Sequence, residues 1–135
     1  VSRQVETDFF SLTESRRLGV MTYSPLAAGF LTGKYTRAGG VPVGTRFDII
    51  PGHQNIYFSD KLFDIVEQIK NFSERIDQPM TRVALSWVMH RPHVTSVLIG
   101  ARDPAQVDQA TNAQALRFTE DQLAELDAIS SQACV

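Results

Sequence analysis

Gly19-Val-Met-Thr-Tyr-Ser-Pro-Leu-Ala-Ala-Gly-Phe-Leu-Thr-Gly-Lys-Tyr35 is the stretch that decides how this chain is read. A short apolar strand, Val20 to Tyr23, runs straight into a loop punctuated by Pro25, Gly29 and Gly33 and closed by Lys34. Pro25 has no N–H to give to a ladder, so the strand stops there. The small residues Ala27, Ala28, Gly29 and Gly33 let backbone N–H groups approach an anion, and Lys34 adds a point charge. Strand, turn and lysine in that order make a phosphate-binding strand exit.

A second strand exit lies downstream in Val94-Thr-Ser-Val-Leu-Ile-Gly-Ala-Arg-Asp-Pro104. Val94 to Ile99 is almost continuously apolar and β-branched, the pattern of a strand buried on both faces of a parallel sheet. Asp103, Pro104 and Gln106 then supply an N-cap, a proline at the first helical position and a capping-box partner. The start of this helix carries about half a positive charge, and the fork of Arg102 beside it suits a phosphate monoester.

Outward from these exits, residues 2 to 18 read as one amphipathic helix. Val5, Phe9, Leu12 and the turn around Arg16 fall three or four apart, Arg3, Glu6 and Glu14 face water, and Gly19 serves as C-terminal cap. From Thr36 to Ser59 no period is visible, and Gly39, Gly40, Pro42, Gly44, Pro51 and Gly52 interrupt any regular element. So long a loop is expected to act as a flap over a ligand, residues 36–59; a disordered insertion is the alternative. Asp60 is the expected N-cap of a helix whose Leu62, Phe63, Ile65, Val66, Ile69, Phe72 and Ile76 form one stripe, ended by Pro79. Thr81 caps the next, with Val83, Ala84, Trp87 and Val88 as its buried face and Arg91-Pro92 as its stop. Thr119 to Gln122 opens a last helix whose apolar side is Leu123, Leu126 and Ile129.

The order helix, strand, loop, helix, helix, strand, helix, helix is the βαβ alternation of a barrel with a terminal helical appendage. Two parallel strands leave two unpaired edges, and a full barrel of this kind has eight strands and typically about 250 residues. Residues 1–135 are therefore expected to be the C-terminal segment of one barrel domain, with the first half or more lying elsewhere. Exposed strand surface would then call for the N-terminal part of the barrel or for self-association. A small independent α/β sandwich, or a complete small interaction protein, is the competing architecture.

The chain holds 43% hydrophobic and 21% charged residues, the composition of an ordinary globular protein. A net charge of −2 and a pI near 5.9 give no field for nucleic acid or an anionic membrane, so neither partner is expected. No apolar run reaches the roughly 18 residues of a membrane span, and Val1 to Glu6 lacks the order of a signal peptide, so a cytoplasmic location is expected. The single cysteine, Cys134, allows no internal disulfide and has no neighbour that would activate it. His90 and His93 are separated by Arg91-Pro92, which breaks the helical face a metal would need, and His53 stands alone in the loop. No metal site is expected, and no carboxylate pair is set for acid–base work.

Both strand exits, Tyr23-Ser-Pro-Leu-Ala27 with Gly33-Lys34 and Gly100-Ala-Arg102 with Gln106, resemble the C-terminal part of the aldo-keto reductases, nicotinamide-dependent (β/α)8 TIM barrels. The resemblance covers essentially the whole chain. It implies an NADP(H)-dependent oxidoreductase of aldehydes or ketones. Ser24, Leu26, Ala27 and Lys34 would hold the pyrophosphate and Tyr23 would stack on the nicotinamide. Gly100, Arg102, Gln106 and Gln109 would hold the 2′-phosphate and adenine, and Arg46 in Gly44-Thr-Arg-Phe47 resembles a flap arginine that reaches the phosphates. The family commonly has Glu-Asn where this chain has Gln109-Ala110, which removes an amide from the adenine contact. The catalytic tyrosine, lysine, aspartate and histidine belong to earlier strands and match no position here, so the segment alone is expected to be silent. A nucleotide-sensing subunit of the same fold, like the β subunits of potassium channels, is the second functional expectation.

Overall fold

The computed structural model describes residues 3–133, so Cys134 lies outside the described residues. Strands β1 (Val20–Thr22) and β2 (Val94–Val97) pair in parallel, with Val20 opposite Val94, Met21 opposite Ser96 and Thr22 opposite Val97. Thr95 is the extra residue of the irregularity between the first two pairs, and its Oγ1 accepts the Val20 N–H at 3.0 Å, which leaves that donor satisfied. Gly19 lies against the bulge, where a Cβ would stand 3.3 Å from Thr95 Oγ1. Close approach to β2, and not helix capping, is what this glycine serves. One step past the strands, Leu98 N–H donates to Thr22 O at 2.8 Å and holds the two tips side by side.

The first helical segment is shorter than its period suggests. A single 3₁₀ turn, Gln4–Glu6, precedes α1 (Phe9–Ser15), and the chain leaves α1 through Arg17 in the left-handed region (φ 53°). Leu18 N–H reaches Thr13 O and Arg17 N–H reaches Glu14 O, the paired bonds of a Schellman ending made without glycine. Val5, Phe9 and Leu12, the expected apolar face, are about half exposed at 46%, 47% and 54%, while Phe10 and Thr13 are buried. Periodicity identified an amphipathic segment; the side that packs onto the described residues is the other one.

Residues 36–59 carry more regular structure than their glycines and prolines suggest. They hold α2 (Arg46–Ile49), a 3₁₀ turn at Pro51–His53 and α3 (Gln54–Tyr57), with an isolated bridge between Thr36 and Gly40. Aromatic burial fixes them: Phe47 is fully buried, its ring centroid 4.7 Å from that of Tyr35 and 5.0 Å from that of Phe58. Phe30 joins this cluster through Phe63 at 5.2 Å. Each fully buried phenylalanine of this kind is worth about 1.5–3 kcal/mol, enough to hold helices too short to persist alone.

Then α4 (Asp60–Arg75) turns Ile65, Val66, Ile69 and Phe72 into the core as its stripe predicts, with Leu62, Phe63 and Ile76 half-buried. Its cap is Ser59, whose Oγ accepts Leu62 N–H at 3.3 Å, with Asp60 in the first turn, and it ends at Asp77 (φ 52°), before Pro79. Helix α5 (Met80–Met89) starts at Pro79 with no side-chain cap, so Thr81 lies inside the helix. Val83 and Ala84 are buried, but Trp87 is only half-buried and its indole donates to Asp127 Oδ1 at 2.9 Å. At α6 (Pro104–Ala113) the expected N-cap Asp103 and the proline at the first turn hold, but Gln106 does not close a capping box on Asp103, its Oε1 accepting from Arg102 N–H. At α7 (Glu120–Ser131) the full capping box of Thr119 with Gln122 forms.

The result is an α/β arrangement in which β2 lies between β1 and α5, α5 packs on α4 and α6, and α7 packs on α4. Strand β2 is not buried on both faces: Thr95 and Ser96 are exposed, and Leu98 and Ile99 beyond it are 51% and 41% exposed. On β1, Val20 is buried while Met21 is 62% exposed, so both strands keep open positions among the described residues.

Candidate functional site

At the exit of β1 the backbone is bent into sparsely populated conformations. Ser24, Ala27 and Ala28 take φ values of 53°, 50° and 57°, followed by Gly29 at 92° and Gly33 at 79°. A residue with a Cβ in the left-handed region costs on the order of 1–2 kcal/mol, so three of them in five positions are held there by their surroundings. The hydrogen bonds that hold them run from Ala27 N–H to Ser24 O, and from Gly29 and Leu31 N–H to Leu26 O. Gly29 makes room for Lys34: a Cβ at position 29 would stand 3.2 Å from Nζ. Lys34 is exposed, with its ammonium 5.3 Å from the ring centroid of Tyr35.

Tyr23 stands at the head of this turn with 80% of its surface open. Its phenol lies close enough to Tyr57 of α3 that a charge on it opposes ionisation there, and burial together with that repulsion raises the Tyr57 pKa. Ser24 is exposed, Leu26 half-buried and Ala27 buried, so Ala27 supports the turn and Ser24 faces outward.

At the second exit Gly100 is open, with no atom within 4 Å of an added Cβ. Asp103 Oδ1 accepts Gln106 N–H at 3.0 Å, while Gln106 Oε1 accepts Arg102 N–H at 3.0 Å. The capping box thus reaches one residue further back than its usual form, and it uses the Gln106 carbonyl, leaving the amide NH2 of that side chain. Arg102 extends to the 36–59 segment, where Nη1 donates to Gly44 O at 2.9 Å. Arg46, two residues further on, is exposed at the start of α2, and Gln109 is exposed on α6.

The two strand tips are held side by side, the lysine of the first exit is exposed, and Arg102 joins the second exit to the 36–59 segment through Gly44. The contact of Arg102 with Gly44 spans 58 positions and had no local signal in the sequence beyond the turn-forming Pro42 to Thr45. Two concavities among the described residues lie elsewhere: one of about 390 Å³ against Val94 to Val97 and His90, and one of about 50 Å³ among Ile65, Ile69, Trp87 and Leu126. His90 Nδ1 sits at 2.9 Å from Ser86 O, and His93 Nδ1 lies 4.0 Å from Glu14, so the two histidines have separate partners. Among the described residues no group of three His, Cys, Asp or Glu side chains is placed to hold a metal, and no helix is long and apolar enough to cross a membrane.

A model of the Aldo/keto reductase family matches residues 1–131. The chain belongs to the aldo-keto reductase family. Its two parallel strands with flanking helices are the architecture of the C-terminal part of an aldo-keto reductase barrel. The chain is 30% identical over 109 residues to a probable voltage-gated potassium channel subunit beta of Arabidopsis thaliana, covering 78% of this chain and 33% of that protein. It is 31% identical over 121 residues to the L-glyceraldehyde 3-phosphate reductase of Escherichia coli K12, 84% and 34% of the two chains. It is 31% identical over 107 residues to the NADH-specific methylglyoxal reductase of the same strain, 79% and 32% of the two. This aldo-keto reductase chain thus spans about a third of the length of the relatives it matches.

Proposed function

We propose that this aldo-keto reductase chain carries the NADP(H)-binding segments of an oxidoreductase that reduces aldehydes or ketones. The observation that supports the reading best is the guanidinium of Arg102, exposed at the second strand exit and tied by one N–H to Gly44 O. A guanidinium has five donors, so most of its fork remains for an oxyanion. Lys34 beside the open turn at Gly29 and Arg46 at the start of α2 supply further positive charge for a ligand with several phosphate groups.

In this reading Ser24, Leu26, Ala27 and Lys34 line the pyrophosphate, Tyr23 offers its exposed ring to the nicotinamide, and Arg102 with Arg46 takes the 2′-phosphate. Gly100 gives the adenosine side close access to the backbone, and the amide NH2 of Gln106, with Gln109, faces the adenine. When bound, the cofactor supplies a hydride for a small carbonyl substrate. The acid–base residues of that reaction belong to a portion of barrel outside this chain, and this chain alone is expected to be inactive. The exposed Met21, Leu98 and Ile99 favour an N-terminal barrel portion, or a second copy, as the partner that completes the sheet. The reading carries with it a cytoplasmic location and no nucleic-acid or membrane partner.

The test is titration with NADPH and with NADH, followed by nicotinamide fluorescence, on the chain and on Arg102→Ala. Charge-assisted bonds of about 1.5–3 kcal/mol predict a loss for NADPH of about 10- to 150-fold. NADH binding should change by less than about twofold, because it lacks the 2′-phosphate. Equal losses, or preference of the unmodified chain for NADH, would reject the NADP(H) assignment. The second reading, a nucleotide-sensing subunit without significant turnover, is favoured by the likeness to potassium channel β subunits. Cofactor binding without aldehyde turnover by the full-length protein would select it.

A further inference from the structure

Pro42-Val43-Gly44-Thr45 is a turn in which Thr45 N–H donates to Pro42 O at 3.3 Å and Gly44 takes φ 75°, as the third residue of a type II turn does. Asp48, in the first helical turn of α2, reaches back so that its Oδ2 accepts Gly44 N–H at 2.7 Å. That bond is short because its acceptor is charged. With one flanking peptide held by Asp48 and the other by Pro42, the carbonyl of Gly44 has a fixed direction, and it meets Arg102 Nη1 at 2.9 Å. At its other end Arg102 is fixed through its backbone N–H to Gln106 Oε1. A long, exposed arginine is thereby anchored at both ends by separate elements.

We infer that Asp48 is a positioning residue for Arg102, acting through the Gly44 turn to hold the guanidinium ready for a phosphate monoester. The inference rests on Arg102 being a phosphate-binding residue, as proposed above. Asp48 touches no ligand in this scheme; its effect passes through two hydrogen bonds and one glycine. Because only Nη1 is engaged with Gly44, the remaining edge of the fork stays available, and pre-ordering it lowers the entropy lost when the anion arrives.

The experiment compares the full chain with Asp48→Ala, Asp48→Asn and Arg102→Ala. The probes are adenosine 2′,5′-bisphosphate and adenosine 5′-monophosphate, and the NMR signal of the Arg102 Nε–H is followed without ligand. Asp48→Ala should broaden or shift that signal, weaken the bisphosphate about five- to tenfold, and leave the monophosphate unchanged. Asp48→Asn keeps an acceptor for Gly44 N–H and should restore both to within about twofold. Added to Arg102→Ala, Asp48→Ala should cost nothing more. An Arg102 signal indifferent to Asp48→Ala, or losses that add to those of Arg102→Ala, would overturn the inference. If the signal responds but the unmodified chain does not prefer the bisphosphate, the positioning by Asp48 stands and the phosphate-binding reading of Arg102 falls.

Discussion

Arg91 and Asp127 meet in a two-pronged ion pair, Nη1 lying 2.8 and 2.9 Å from the two carboxylate oxygens, over the indole of Trp87. Trp87 Nε1 donates to the same carboxylate, and Arg91 Nη2 continues to Glu6 at 3.0 Å, which also holds Arg3. Arg3 in turn reaches Asp127 O and Ser130 Oγ. The first turn of the chain, the end of α5 and α7 are thus joined by one half-buried network whose common acceptor is Asp127.

Replacing Asp127 by Ala should therefore strip partners from Arg91 and Trp87 together. The side chain of Asp127 is 38% exposed, so water recovers part of the loss, and the expected cost is about 1–3 kcal/mol and not the full penalty of a dry buried pair. Urea denaturation gives the value. A change below about 0.5 kcal/mol would mean that this network is surface decoration, as most exposed ion pairs are.

Tyr57 makes stability depend on pH in the alkaline range. Burial, then the charge on Tyr23, raises its pKa above the ordinary 10.0. A phenol that holds its proton more tightly when folded gives stability that is complete below the unfolded value near 10.0 and is lost as pH climbs through the folded value. Tyr57→Phe should flatten this slope, and Tyr23→Phe should bring the Tyr57 titration down without abolishing its shift, as followed by phenolate absorbance. A Tyr57 titration unmoved by Tyr23→Phe would separate the first strand exit from α3.

Phe47 is the test of how the 36–59 segment is held. Phe47→Ala removes a fully buried ring from between Tyr35 and Phe58 and should cost about 3–5 kcal/mol. Gln54 Nε2 donates to the carbonyl of the same residue at 3.0 Å, so α2 and α3 should loosen together. Hydrogen exchange should show amides of residues 46–57 losing protection ahead of those of α4. Uniform loss across both would mean that the segment folds as one unit with the core.

Short-range chemistry was legible: the stripe of α4, the caps at Asp103 and Thr119, and two strands whose exits carry lysine and arginine all sit where local pattern puts them. What escaped were features decided by distant partners. The face of α1 turned on Phe10 meeting His93, their ring centroids 5.6 Å apart, and a spacing rule cannot choose between two faces. Helices α2 and α3 are four residues each and owe their existence to rings contributed by Phe30 and Tyr35. Arg17 and Asp77 end helices in a conformation where glycine would be expected, so no residue type announced those boundaries.

Gly29 and Lys34 offer a way to separate the pyrophosphate end of the proposed site from the 2′-phosphate end. Gly29→Ala places a Cβ 3.2 Å from Nζ and 3.4 Å from Cε of Lys34, on a backbone whose φ of 92° a side chain rarely adopts. The lysine is flexible and moves; the backbone strain remains, so a stability loss of about 1–2 kcal/mol is expected. Because the pyrophosphate is common to both nicotinamide cofactors, displacing the ammonium should weaken NADPH and NADH by the same factor, unlike Arg102→Ala. Lys34→Ala should reproduce the binding loss with little change in stability, since the lysine is exposed. Titration of both variants with both cofactors decides it: a loss confined to NADPH would move Lys34 to the 2′-phosphate, and no loss with either would leave it a surface lysine.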